Sequence, residues 1–275
     1  MNFAITSNNR RLLKRTIDNY QIISSTHKQL ENNIKEMGSA VPAAEWLFDN
    51  YYLIEEQVSF VRRNLAGNSY SRLPVIKEGH LKGYPRVFAI SLNLVQDATG
   101  FVDENTLVTL VDNYQKQNPL STGELWLLPI AIRIALIEKI GNICEGLQES
   151  SNSKIEQSLE VETERQVLLG NAITSLRLVS DISWPEVFES LSRVEHILRN
   201  DPDGTYPEMD FESRDYYRQE LEKIARRLNT SEESVASAAI EYAAQHKICE
   251  DDRNVKRHVG YYLVGKGRPE FIKKI

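Results

Sequence analysis

The segment from Leu125 to Ile137 restricts the possible folds of this chain more than any other feature of its sequence. It is apolar throughout, apart from Pro129 and Arg133. A membrane-spanning helix needs about 20 apolar residues, and this run has only about 13, with a charge inside it. We therefore predict that it forms the middle of a helix from Thr122 to Ile143, buried in a protein core, and that the chain is soluble.

Most of the remaining chain also has the apolar spacing of helices. Proline and glycine are sparse, with 9 and 13 among 275 residues, and apolar residues recur every three or four positions. This spacing predicts further helices over 10–36, 42–66, 85–97, 104–114, 161–179, 213–228 and 230–246. Only residues 259–264 have an alternation that resembles a strand. The predicted fold class is all-α and multi-helical.

Local signals mark helix starts and one internal boundary. Ser183 and Thr230 each stand three residues before a glutamate, a pattern typical of the capping box. The sequence at 201–204, DPDG, is typical of a turn. Residues 148–158 are polar and lack periodicity, so they predict a linker between two packed helical halves, 1–147 and 159–275.

Composition and charge exclude several classes of function. The net charge is −6, whereas a nucleic-acid-binding protein needs a surplus of lysine and arginine. The two cysteines, Cys144 and Cys249, and five scattered histidines offer neither a disulfide framework nor a metal-ligand pattern. No phosphate-binding glycine-rich loop and no dinucleotide fingerprint occur. We therefore expect no nucleic-acid partner, no metal site and no cofactor.

Three charged residues lie in apolar helical sequence. Arg133 and Glu138 interrupt the most apolar helix, and Arg177 lies in a run that reads ITSLRLV. Burying a charge without a partner costs several kcal/mol, about 3–5 when one member of a pair is removed. We predict that these three charges pair across helices inside the protein.

The charge is also unevenly distributed along the chain. From Arg253 onward there are seven lysines and arginines and one acid, Glu270. Basic segments are attracted to anionic lipid surfaces, which makes an anionic lipid a candidate partner of this end. The alternative is an ordinary solvated end that pairs with acids such as Asp251 and Asp252.

Several phrases of the sequence occur together in one known family. They are PAAEWLFDN (42–50), LIEEQ (53–57), GYPR (83–86), LSTGELW (120–126) with Arg133, GNAITSLR (170–177), DPDGTY (201–206), MDFESRD (209–215) and HVGYYL (258–263). In this order the phrases resemble bacterial cyclic β-1,2-glucan synthases over roughly residues 42–270.

The resemblance implies a place for the chain in a larger protein. Those synthases are large inner-membrane proteins that polymerise glucose from UDP-glucose and close the chain into a ring. The phrases resemble their helical cytoplasmic segment, ahead of the membrane helices and the glycosyltransferase module, whose catalytic motifs are not found in these 275 residues. The chain is thus expected to be a non-catalytic accessory segment at the cytoplasmic face of the inner membrane. Its partners would be the other domains of the same polypeptide, with glucan or anionic lipid as further candidates.

One departure from the family concerns length. Members usually carry a longer insert between the Arg133 helix and the Gly170 motif, which residues 142–165 replace here.

Aromatic residues, arginines and one glutamate in or beside these phrases are the candidate binding residues: Trp46, Tyr84, Arg86, Glu124, Trp126, Arg214 and Tyr217. No catalytic residue is assigned. Two other functions stay open. One is a stand-alone carbohydrate-active helical enzyme that uses paired carboxylates such as Glu45 and Glu124, since two carboxylates suffice for glycoside chemistry. The other is a membrane-proximal scaffold.

Overall fold

The structure is a computed structural model, and it describes residues 7–37, 42–67, 73–153, 159–245 and 255–275. The all-α prediction is confirmed: these ranges contain thirteen α-helices, one 3₁₀ turn and no strand beyond an isolated bridge between Val75 and Pro85. The helices are α1 (Ser7–Met37), α2 (Pro42–Gly67), α3 (Arg86–Asp97), α4 (Glu104–Gln115), α5 (Thr122–Ser153), α6 (Leu159–Asp181), α7 (Trp184–Leu191), α8 (Arg193–Leu198), α9 (Thr205–Glu208), α10 (Phe211–Leu228), α11 (Glu232–Ala244), α12 (Gly260–Leu263) and α13 (Arg268–Lys274).

The described helices divide into two compact units. The first unit consists of Met1–Val111 and Trp126–Ile182, and the second of Asp112–Leu125 and Ser183–Ile275. In the first unit α2 packs against α1 and α6. This grouping puts α6 with the helices before it, whereas the predicted halves put it after the linker. Part of that predicted linker, residues 154–158, lies outside the described residues, so the predicted domain division stays a prediction.

The buried helix predicted from the apolar run is confirmed as α5. Every residue from 127 to 137 is buried, on all sides of the helix, as expected of a helix that is apolar all round. The helix continues ten residues beyond the predicted end at Ile143. No helix in the described ranges combines the length and the apolar character that crossing a bilayer requires.

The second unit is built around α8, α10 and α11, and the chain's last helices close its core. Val259, Tyr262, Leu263 and Phe271 are buried together with side chains of these three helices. The strand-like alternation predicted at 259–264 is wrong, because α12 occupies Gly260–Leu263. Tyr262 and Leu263 follow Val259 by three and four residues, a spacing that also places all three on one face of a helix.

At the N-termini of α7 and α11, the structure differs from the two predicted capping boxes. Ser183 precedes α7, but its side chain accepts no capping hydrogen bond. The cap of α11 is Ser231, which accepts from Ser234 N, and not Thr230. A capping box that we did not predict begins at Ser121, whose backbone N–H donates to Glu124 Oε2 at 3.0 Å.

Candidate functional site

The DPDGTY and HVGYYL phrases meet at the carboxylate of Asp201 in the second unit. Asp201 Oδ1 accepts a hydrogen bond from Val259 N at 3.0 Å. Its other oxygen, Oδ2, lies 2.6 Å from His258 Nδ1 and accepts from Tyr206 N at 3.1 Å. Burial acts to raise the pKa of Asp201, but the hydrogen bonds from His258 and from the two backbone N–H groups hold the pKa below its usual value. Asp201 therefore fastens two segments that are more than fifty residues apart in sequence.

His258 also connects Asp201 to Tyr217, one of the predicted binding residues. Its Nε2 lies 3.2 Å from the Tyr217 hydroxyl. Gly260 permits this contact, because a Cβ there would lie 2.5 Å from the Tyr217 hydroxyl and 2.6 Å from His258 Nε2. The glycine of the HVGYYL phrase is thus explained by close packing around the histidine.

A buried ionic cluster lies next to this junction. Arg218 has no exposed surface and donates from Nη1 to Glu195 Oε2 at 2.5 Å. The same oxygen accepts from the Tyr206 hydroxyl at 2.7 Å. The Arg218 guanidinium also lies 4.9 Å and 5.1 Å from the ring centres of Phe188 and Phe211. The sequence analysis did not identify Glu195 and Arg218 as partners. The sequence signal that could have identified them is the position of each charge among the apolar residues of its helix.

Arg214, a predicted binding residue, faces inward to the same cluster. Its Nε and Nη2 donate to the two carboxylate oxygens of Glu189 at 2.9 Å and 3.0 Å, a bidentate pair. Its Nη1 donates to the carbonyl oxygens of Pro207 and Met209. The arginine of the MDFESRD phrase is therefore occupied by contacts within the protein.

Asp201, Asp203 and His258 have ligand atoms within 4.8 Å of one another, the spacing of a metal site. The atoms are already engaged, however. Both Asp201 oxygens accept hydrogen bonds, and Thr205 Oγ1 donates to Asp203 Oδ2. A cation would have to displace these hydrogen bonds. The three residues therefore fit a structural role, holding the two segments together, better than a role as metal ligands.

In the first unit, Arg133 is a buried connection among helices. Its guanidinium donates to Gln57 Oε1 at 2.9 Å, to Pro129 O at 2.7 Å and to Val179 O at 3.0 Å. It also lies 4.4 Å from the centre of the Phe60 ring. Burial lowers the pKa of Arg133 to about 10, which leaves the guanidinium charged at neutral pH.

The other two predicted structural charges behave differently from each other. Glu138 forms a bidentate pair with Arg15 across α1 and α5, at 2.5 Å and 2.6 Å. Arg177 is exposed, which corrects the expectation that it is buried, although it does reach α2 by donating to Asn50 Oδ1 at 2.7 Å. Its neighbours Leu176 and Val179 are buried instead, because they lie on the inner face of α6.

Two more phrases of the first unit pack closely. A Cβ on Gly170 would lie 3.4 Å from the indole of Trp46, so α2 and α6 come close at this point.

In the GYPR phrase, Gly83 has φ +82°, a conformation that favours glycine. The ring of Tyr84 lies below the Arg15 guanidinium, with 5.4 Å between the ring centre and Arg15 Cζ. Arg86 begins α3, and its N–H donates to Pro74 O at 2.8 Å.

Comparison with known proteins tests the family resemblance that the phrases indicate. The sequence is 26% identical to the cyclic beta-(1,2)-glucan synthase NdvB of Rhizobium meliloti (strain 1021) over an aligned length of 331 residues. The chain resembles part of a cyclic β-(1,2)-glucan synthase. The similarity covers 94% of this chain and 12% of NdvB, and no protein-family model matches the sequence. Since the aligned length exceeds 275 residues, it includes NdvB residues that have no counterpart in this chain.

The similarity to NdvB confirms the resemblance found from the phrases, and the structure shows how the remaining candidate residues lie. Glu124 is buried in its capping box, where its carboxylate accepts from Ser121. Glu45 is exposed on α2, and Trp126 is half-buried near the start of α5. Trp46 has 38% of its surface exposed. Of the predicted binding residues, Trp46, Tyr84, Arg86 and Trp126 belong to the first unit, and Glu124, Arg214 and Tyr217 belong to the second.

Proposed function

We propose that this chain is an accessory helical segment of a cyclic β-(1,2)-glucan synthase, and that it contributes no catalytic group to the UDP-glucose-dependent transfer. In this proposal the segment lies at the cytoplasmic face of the inner membrane. Its partners are the membrane helices and the glycosyltransferase module of the same polypeptide.

One observation carries the proposal: three polar side chains of the family-like phrases are bound to other groups of their own unit. Asp201 binds His258 and two backbone N–H groups, Arg214 binds Glu189, and Arg133 binds Gln57 and two carbonyl oxygens. Catalytic groups must instead point toward a site that a substrate can enter. Residues used in this way support a folded platform for a neighbouring module.

The competing function is a stand-alone enzyme that uses Glu45 and Glu124 as paired carboxylates. The environment of Glu124 does not support this function. A general acid or base must reach the substrate, whereas the Glu124 carboxylate is buried and accepts hydrogen bonds at the start of its own helix.

An assay of the purified 275-residue chain with UDP-glucose tests the proposal. We expect neither UDP release nor glucan above a protein-free blank, because the reacting groups lie elsewhere in the synthase. Turnover that the double substitution E45Q/E124Q abolishes would establish the competing enzyme. Gln at 124 keeps the capping pattern, so loss of folding would not explain such a result.

The basic end is the surface on which we propose an anionic-lipid contact. Its residues 255–275 are folded: Arg268 pairs with Glu220 at 2.5 Å, Lys274 pairs with Glu270 at 2.7 Å, and Arg257 donates to Pro202 O. Lys266 and Lys273 are exposed, while Asp251 and Asp252 lie outside the described residues. Each cation near an anionic leaflet contributes about 1 kcal/mol, less as salt rises.

Co-sedimentation with phosphatidylglycerol vesicles at low salt tests this contact. Because residues 255–275 help to form the core, removing them would unfold the second unit, and charge reversal is the better probe. We expect K266E/K273E to reduce pelleting and the control K28E/K77E to leave it unchanged. Equal pelleting of both variants and the unsubstituted chain would show that the basic end does not bind lipid.

A further inference from the structure

A cationic pocket between α1 and the loop before α3 has no role in the function proposed above. The pocket has a volume of about 380 Å³. It is lined by Arg11, Lys14, Arg15, Asp18, Lys82 and Tyr84, which are four cations, one acid and one aromatic residue. Pockets of roughly 300–1,000 Å³ are typical of small-ligand sites. On a chain whose net charge is −6, this concentration of positive charge is unusual.

The cations of the pocket are neutralised to different degrees. Arg15 belongs to the wall, because its guanidinium is paired with Glu138 and lies over the Tyr84 and Phe88 rings. In the described part of the chain, Arg11, Lys14 and Lys82 form no ion pair. Arg11 donates from Nη1 to a neutral acceptor, the Lys82 carbonyl oxygen, at 3.3 Å. These three cations are therefore available to an anion, and Asp18 is the one acid among the described residues that line the pocket.

The loop side of the pocket is formed in advance. Gly83 N donates to Ile76 O at 2.8 Å, and Ile76 N donates to Tyr84 O at 2.9 Å, so the two arms of the loop hold each other. A Cβ at Gly83 would overlap the Arg11 guanidinium. The glycine thus lets Arg11 lie directly against the loop backbone, and binding need not first order these groups.

We propose that this pocket binds a phosphoryl group carrying two or more negative charges. Three cations exceed the charge of a single carboxylate, and the planar guanidinium of Arg11 matches the oxygens of a phosphate in a bidentate way. The same chemistry is offered by a free phosphorylated molecule and by a phosphomonoester headgroup, such as that of phosphatidic acid.

Calorimetric titration of the 275-residue chain with inorganic pyrophosphate at low salt tests the proposal. We expect saturable binding that weakens as salt rises. The double substitution R11Q/K14Q should weaken it at least tenfold. K28Q/K77Q removes the same charge from exposed positions outside the pocket and should change it less than twofold. R11K keeps the charge but loses the fork, so several-fold weaker binding is expected.

The source of the phosphoryl group is distinguished by vesicles that contain phosphatidic acid, whose phosphomonoester headgroup carries up to two negative charges. Pelleting that R11Q/K14Q reduces and K266E/K273E does not would indicate a headgroup, whereas pyrophosphate binding without such pelleting would indicate a free ligand. The proposal is overturned if neither probe binds, if K28Q/K77Q weakens binding as much as R11Q/K14Q, or if R11K binds like the unsubstituted chain. Circular dichroism melting of each variant shows whether folding has changed; these side chains lie at the surface, so we expect unchanged melting.

Discussion

At the scale of single residues, Asp201 links two segments of the chain, 201–206 and 258–259, through one carboxylate. Replacing it with asparagine keeps the shape but removes the charge that His258 and two N–H groups bind. Hydrogen bonds to a charged group contribute about 1.5–3 kcal/mol each. We expect D201N to lower the free energy of unfolding by about 1–3 kcal/mol at pH 7, measured by urea denaturation. The exposed D203N in the same turn should change it by less than about 0.5 kcal/mol.

The pH dependence of this difference follows from the lowered pKa of Asp201. A carboxyl group whose pKa is lower in the folded state stabilises the protein above its unfolded pKa, which is about 3.9 for aspartate. That stabilisation is lost as the pH falls through the folded pKa. The gap between the unsubstituted chain and D201N should therefore shrink as the pH falls below about 4. A gap that does not shrink below about pH 4 would contradict the role given to the Asp201 charge.

Arg133 makes a second prediction at this scale. Its removal leaves Gln57 Oε1 and the two carbonyl oxygens of Pro129 and Val179 without these donors in the core of the first unit. We expect R133A to cost about 3–5 kcal/mol in the free energy of unfolding, because it leaves these buried acceptors unsatisfied and a cavity in the core. R133K should recover little, since a single ammonium cannot reproduce the planar fork. The exposed Arg177 is the matched control, and R177A should cost less than about 1 kcal/mol; equal losses for R133A and R177A would show that burial does not set the difference.

At the scale of helices, α5 could be predicted from sequence and α12 and α13 could not. The apolar run 127–137 is long enough that no other element accommodates it. By contrast α12 has four residues and α13 has seven, lengths that are marginal without tertiary packing. Their position depends on Asp201, which binds Val259 N from 58 residues away, and the sequence contains no signal for such a pairing.

Phe271 shows how far the second unit depends on its last helix. The ring is 1% exposed and packs against the rings of Tyr242 and Tyr262, with centres 5.5 Å and 5.7 Å away. Removing a buried phenylalanine side chain costs about 3–5 kcal/mol. We expect F271A to destabilise the chain by that amount in thermal or urea unfolding. V255A, at a residue that is 64% exposed in the preceding 3₁₀ turn, should have little effect. Equal effects would mean that the basic end is not part of the core.

At the scale of the whole molecule, the fold class, most helices and the family resemblance could be predicted from the sequence, but the contacts made by residues of the family-like phrases could not. Arg214 and Tyr217 were expected to contact a ligand, and the structure pairs them with Glu189 and His258. Sequence order does not reveal such partners, because 25 and 41 residues separate the members of the two pairs. Arg11 and Lys82 of the cationic pocket are 71 residues apart and were missed for the same reason.

The central claim is that this chain supports a glucan synthase without taking part in its chemistry. The most direct measurement is cyclic glucan formation from UDP-glucose by a full-length synthase that carries this segment, at equal amounts of membrane-inserted protein. We predict that E45Q/E124Q leaves the rate within about twofold, because neither glutamate is a catalytic group in this account. Loss of a catalytic acid or base would instead lower the rate 10²-fold or more. R133A/D201N, which weakens both units, should reduce the rate. A synthase that R133A/D201N leaves fully active, or that E45Q/E124Q inactivates while the segment stays folded, would contradict the claim.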